Sequence, residues 1–201
     1  MWARIGLGCG LALGGVIAVQ AAAVADGLPL AEGLLVLDAE VHGRTLRIDR
    51  DPAALAVAAG PLAPMAALPG VALLGEVEVL AFLATDAAAG RGMLVDTRLP
   101  EAHAAGTIPG ALNLPAATLA ADNPLRTDIL AALGGVADAA GEVRFADPPV
   151  LVLFGDGIGA DAALAAGQAL LQAGYPADRL RHYRGGFRDW RDLGLTVAVQ
   201  D

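Results

Sequence analysis

From residue 34 to residue 50, apolar and polar positions alternate with a period of two, interrupted at His42-Gly43. Leu37, Ala39 and Val41 share one side of the run, and Leu46 and Ile48 return beyond the break. That pattern predicts a β-hairpin. Residues 52–70 carry Pro52, Gly60, Pro61, Pro64, Pro69 and Gly70, which predicts a linker or a loop draped over a domain.

From Val71 onward helical and strand periods take turns. Residues 76–85 predict a short helix burying Val79, Phe82 and Leu83, and 93–96 a short apolar strand ending at Thr97-Arg98. Asn123-Pro124 reads as a helix start, a capping side chain followed by the one position where proline is welcome. Leu125, Ile129, Ala132 and Leu133 then line one face before Gly134-Gly135 stops the helix. Residues 150–154 form an unbroken apolar run, the mark of a strand buried on both faces. Residues 160–173 place Ala160, Leu164, Gly167 and Leu171 on one helical face and Asp161, Ala165, Gln168 and Gln172 on the other. A last strand is expected at 181–183 and a last helical turn at 187–193, closed by Gly194. Strands alternating with helices argue for an α/β fold, a mainly parallel sheet with helices on both faces, preceded by the hairpin.

Length changes the picture little: 201 residues accommodate one ordinary domain and a leader. The first 25 residues hold one Arg, an apolar run from Ile5 to Val19 and the small-x-small triplet Ala23-Val24-Ala25. They predict an export signal cleaved before Asp26, and hence a periplasmic or secreted protein. An uncleaved membrane anchor is the alternative, and only in that case is a membrane a partner. The domains expected are 1–25 as the leader, 26–70 as hairpin and linker, and 71–201 as the α/β domain.

Charge and residue usage exclude more than they suggest. The net charge is −9, which disfavours nucleic acid as a partner. The single cysteine, Cys9, lies inside the leader, so no intramolecular disulfide is possible. Lys and Ser are absent, which removes Schiff-base and acyl-serine chemistry. His42, His103 and His182 are scattered without metal-ligand spacing, so neither a metal nor another cofactor is expected.

Two segments resemble the rhodanese-like family. LVDTRLPEAHAAGTIPGALNLP (94–115) is similar to that family's strand-D-x-R, acidic pair and G-H-I-P-G-A-x-N-x-P. The run from PVLVLF (149–154) to AGY (173–175) and YRGGFRDW (183–190) is similar to its strand, active loop, helix and strand-GG-x-x-x-W. The resemblance covers roughly residues 71–199. It implies a nucleophilic cysteine on the loop after the PVLVLF strand, whose persulfide is cradled by backbone N–H groups that lower the thiol pKa. Here that loop reads Phe154-Gly155-Asp156-Gly157-Ile158-Gly159-Ala160-Asp161. Gly155 falls at the cysteine position, or Phe154 in a register slipped by one residue, and neither carries sulfur. The loop is also similar to a longer-loop subgroup with cysteines at the positions of both Gly155 and Ala160, and the loop arginine that helps hold thiosulfate is missing as well. Sulfur transfer, arsenate reduction and cysteine-phosphatase chemistry all pass through a thiolate and are therefore not expected.

The same loop fits other readings. GDGIGA (155–160) satisfies G-x-G-x-x-A between a strand and a helix, the dinucleotide fingerprint. Only about forty residues follow, too few for the further βα units that fold needs, and Arg184 stands where an acid should end the next strand. The glycines also serve simply to turn the chain, with Asp161 capping the helix. Asp96 and Arg98 are expected to act structurally, Arg98 bridging to an acid such as Glu101. Arg184 is expected near the loop's mouth, and Arg179, Arg181, Arg188 and Arg191 on a solvated face paired with Asp178, Asp189 and Asp192. His103 and Trp190 read as packing residues. The functional expectation is a module that binds an unidentified protein or small ligand, without catalysis, through the N-terminal hairpin or the loop face, where the candidate residues are Gly155, Asp156, Gly157, Ile158, Gly159, Ala160, Arg98 and Arg184. The alternative is a sulfurtransferase-family enzyme that borrows a partner's cysteine.

Overall fold

A computed structural model of the chain describes residues 30, 33–50, 68–139, 142–158 and 162–199. The leader, most of the linker expected over 52–70, and Gly159, Ala160 and Asp161 lie outside the described residues. Two compact units divide between Ala54 and Leu55.

In the first unit, β1 (Leu37–Val41) and β2 (Arg44–Ile48) pair antiparallel, Leu37 opposite Ile48 and Ala39 opposite Leu46. His42 and Gly43 both have positive φ, 52° and 73°. A two-residue turn of that hand matches the right-handed twist of the strands it joins. The hairpin expected from the alternation is present in its expected register.

The second unit runs β3 (Ala72–Leu74), α1 (Glu76–Phe82), β4 (Gly92–Asp96), α2 (Pro100–Ala105), β5 (Leu112–Asn113), α3 (Arg126–Ala132), β6 (Gly135–Ala137), β7 (Val143–Phe145), β8 (Val150–Phe154), α4 (Ala162–Gln172), β9 (Leu180–Tyr183) and α5 (Gly186–Asp192). Five strands form one sheet in the order β3-β9-β8-β4-β5, parallel throughout. Side chains of β8 alternate across it. Val150, Val152 and Phe154 enter a core with Val79 and Phe82 of α1 and Phe187 and Trp190 of α5. Leu151 and Leu153 enter a second core with Leu130 of α3 and Ala163, Ala166 and Leu170 of α4. Burial on both faces is why this strand needs no polar residue. No helix among the described residues is long and apolar enough to cross a membrane.

Several expectations shift. The helix expected over 76–85 is α-helical only to Phe82, and Leu83–Ala87 continue as a wider turn in which Ala88 N–H donates to Leu83 C=O at 3.2 Å. Asn123 does not cap α3 directly: its Oδ1 accepts from Leu125 N–H at 3.0 Å, and the helix starts at Arg126. The phase therefore moves. Leu130 and Leu133 are buried and Ile129 half-buried, whereas Leu125 and Ala132 are exposed. In α4 the polar face holds at Ala165, Gln168 and Gln172, but the buried stripe is Ala163, Ala166, Gly167 and Leu170, with Leu164 and Leu171 at its margins. The sequence pattern predicts neither β3, α2 and β5 nor the small antiparallel pair β6–β7.

Candidate functional site

β4 and β8 are neighbours in the sheet, so their carboxyl ends deliver Asp96 and Phe154 side by side. In open α/β sheets this is the edge where ligands bind. Thr97 locks the two ends together: its N–H and its hydroxyl both donate to Phe154 C=O, at 2.9 and 2.8 Å.

Asp96 is fully buried and every approach to its carboxylate is a donor. Oδ1 accepts from the N–H of Arg98 at 3.1 Å and from its Nε at 2.9 Å. Oδ2 accepts from Arg98 Nη2 at 2.6 Å, Thr107 Oγ1 at 2.8 Å and His103 Nδ1 at 3.0 Å. Burial alone would raise the carboxyl, but these hydrogen bonds outweigh it and hold Asp96 below the ordinary value. An ionised carboxylate only accepts, so His103 carries its proton on Nδ1. His103, expected to pack, is thus a hydrogen-bonding member of the site.

Arg98 does not reach for Glu101. Its turn through Thr97 folds the guanidinium back onto Asp96, two residues earlier, and Nη2 also donates to Gly106 C=O at 2.6 Å. The Phe187 ring lies 4.2 Å below it. Asn113 completes the frame by donating from Nδ2 to the carbonyls of Asp96 and Arg98, at 3.1 and 2.9 Å. Residues 96–113 are thereby tied by hydrogen bonds around the carboxyl end of β4, and Thr97 links that end to β8.

The loop after β8 is pinned by α5. Phe187 N–H donates to Gly155 C=O at 3.0 Å and Arg188 N–H to Asp156 C=O at 2.9 Å. Gly186 makes the approach possible, with φ +64° and no side chain to meet the loop backbone. Asp156 projects between two guanidinium groups, Arg188 Nη2 at 3.3 Å from Oδ2 and Arg98 Nη1 at 3.9 Å from Oδ1.

Beside the loop lies a cavity of about 330 Å³, lined by Leu73, Leu74, Glu76, Ile158, Arg184 and Asp189 among others. Phe154 does not fill it, being wholly buried in the core, while Ile158 stands partly exposed on its wall. Tyr183 donates its hydroxyl to Glu76 at 2.9 Å. Burial, then the nearby charges of Glu76 and Asp192, push the Asp189 carboxyl up despite Arg188 and Arg184.

Of the candidate binding residues, Arg98 and Asp156 come together. Arg184 and Ile158 line the cavity. Gly155 and Gly157 are buried, and Gly159 and Ala160 lie outside the described residues. The arginine face is only partly as expected. Arg191 pairs with Asp192 at 3.2 Å, but Arg179 pairs with Asp147 at 2.6 Å and Arg188 with the loop. The sequence assigns no site role to Thr97, Thr107, Asn113 or Gly186, although the first three stand within the first motif and Gly186 within the second.

Residues 78–193, more than half of the chain, match the rhodanese-like domain. Solved structures similar to the chain include a human single-domain sulfurtransferase, 31% identical over 60% of this chain and 95% of that one, with a TM-score of 0.40. A Rhodopseudomonas palustris protein described as a possible tyrosine phosphatase is 25% identical over 64% and 85%, with a TM-score of 0.44. A thiosulfate sulfurtransferase from Pseudomonas aeruginosa is 22% identical over 65% of this chain but 21% of its own length, with a TM-score of 0.45. No curated protein sequence matches.

Proposed function

The chain belongs to the rhodanese-like family, and on that premise we propose that it performs no sulfur transfer of its own and binds a protein or small ligand through the loop after β8. The observation that carries this reading is the absence of any thiol from the family region: the one cysteine is Cys9, and Gly155 follows directly on β8. A persulfide has no atom to form on, whatever the surrounding amides would offer it. The carbonyls of Gly155 and Asp156 engage the first amides of α5, which keeps the loop in shape without a reactive side chain.

Export from the cytoplasm is part of the proposal and is supported by residues 1–25. Mass spectrometry of the protein from its source cell is expected to find an N-terminus at Asp26.

The test of function is thiosulfate:cyanide sulfurtransfer by the native chain beside Gly155→Cys. A silent native protein and a measurably active variant are expected. Turnover by the native protein would overturn the proposal.

A further inference from the structure

We propose that the cavity beside the loop binds a small organic cation, a primary ammonium carried on a short alkyl chain, among Glu76, Tyr183 and Asp189. The inference rests on the reading of the loop face as a binding face and names the chemistry of its ligand.

At about 330 Å³ the cavity has the size of a small-molecule site, and its wall has the usual make-up of one, apolar with a few polar groups. The apolar part is Leu73 and Leu74 of β3 and Ile158 of the loop. The polar part comes from three elements: Glu76 opens α1, Tyr183 ends β9 and Asp189 lies within α5. Tyr183 is 1% exposed, and its hydroxyl hydrogen is committed to Glu76 Oε1 at 2.9 Å. A phenol so committed has only acceptor capacity left. Together with two ionised carboxyl groups it makes this part of the wall a set of acceptors in need of donors.

The negative groups outweigh the positive ones around Asp189. Burial, then the charges of Glu76 and Asp192, push its carboxyl up although Arg188 and Arg184 pull it down. Its position is built in: Oδ2 lies so close over Gly185 that a Cβ there would stand 2.7 Å away. Arg184 lines the same cavity and offsets one of the two carboxylates, which leaves one negative charge for a monovalent cation. A primary ammonium supplies that charge with three N–H donors and no acceptor. A metal ion suits the site poorly, since among the described residues no group of three or more His, Cys, Asp or Glu could hold one. Leu73, Leu74 and Ile158 favour an alkyl chain on the cation, each buried methylene tightening binding about fourfold.

The experiment is an NMR titration of the full, nitrogen-labelled chain at pH 7.5 with n-butylammonium chloride, against ammonium chloride and sodium chloride at matched ionic strength. n-Butylammonium is expected to shift the amides of Leu74, Glu76, Gly185 and Asp189 and to bind about tenfold or more tightly than ammonium. Glu76→Gln, which keeps an acceptor for the Tyr183 hydroxyl, is expected to weaken that binding about tenfold. Asp128→Asn removes the same charge from an exposed position on α3 that does not line the cavity, and is expected to leave binding unchanged. Ile158→Arg, a change at an exposed position, places a cation on the apolar wall and is expected to abolish binding even if Glu76→Gln fails to fold. Equal affinity for ammonium and n-butylammonium, binding of neither, equal weakening by Glu76→Gln and Asp128→Asn, or binding that survives Ile158→Arg overturns the proposal. Sulfurtransfer by the native chain would overturn the non-catalytic reading of the loop and leave the cavity's affinity for amines untouched.

Discussion

Gly186 lies so close to Gly155 that a Cβ built on it would stand 2.6 Å from the Gly155 carbonyl oxygen. The glycine also sits at φ +64°, where an L side chain is strained even in open space. Both facts serve one end: the first turn of α5 presses against the loop after β8 and donates two amides to it.

Gly186→Ala is therefore expected to destabilise the fold by at least about 1–3 kcal/mol, the cost of a left-handed non-glycine residue, with the backbone contact adding to it. Urea unfolding of the two proteins measures the difference. A variant as stable as the native chain would mean that α5 and the loop part without penalty.

Asp96 is the hub from which Arg98, Thr107 and His103 are all held. Asp96→Ala leaves the buried Arg98 guanidinium without its hydrogen-bonded counter-ion, with only Asp156 at 3.9 Å beside it, a loss of about 3–5 kcal/mol. Thermal unfolding is expected to show a large drop, or the variant to be insoluble. Thr107→Val removes one of the carboxylate's donors and is expected to cost about 1–3 kcal/mol. The order of the two variants matters more than either value.

How much of this was legible beforehand depends on which physical fact decides each part. The strand Val150–Phe154 shows itself because a run buried on both faces excludes polar residues and is bounded by Pro149 and Gly155. The phase of α3 does not, because Asn123 side-chain bonding to Leu125 N–H makes a turn before the helix and displaces its start. A sequence pattern cannot tell that turn from a cap. In the site, the residue types of Asp96 and Arg98 were readable, but their pairing was not. Residues two apart face each other only because Thr97 is turned by its two bonds to Phe154 C=O, a contact across two strands. The same holds for Arg188, whose partner Asp156 is 32 positions away.

Acid affects two buried groups in the same direction. Burial, then the charge of Arg184, lowers the pKa of His182 below 6.5. The unfolded chain binds that proton more readily, so the stability His182 contributes is complete above about pH 6.5 and is lost as pH falls through its folded value. Asp96, held below 3.8, loses its contribution in a more acidic window. Asp189 runs the other way, because its raised carboxyl is relieved by protonation. Guanidinium unfolding midpoints at pH 7.5 and 5.5 are expected to fall for the native chain. His182→Leu is expected to flatten that fall, and an unchanged slope would remove His182 as its cause.

A cysteine placed at Gly155 reports the field that the loop experiences. Two guanidinium groups near the loop favour a thiolate, while Asp156, the next residue, opposes it. In a Cys9→Ser background, so that one thiol is read, the rate of iodoacetamide alkylation against pH gives the thiol pKa. Gly155→Cys/Asp156→Asn is expected to titrate about one unit below Gly155→Cys alone, since an adjacent like charge has been removed. Arg188→Gln added to Gly155→Cys is expected to shift the titration upward. Equal values in all three would mean that Asp156 and Arg188 are screened from position 155, and that their pairing at the loop sets its shape but not its electrostatics.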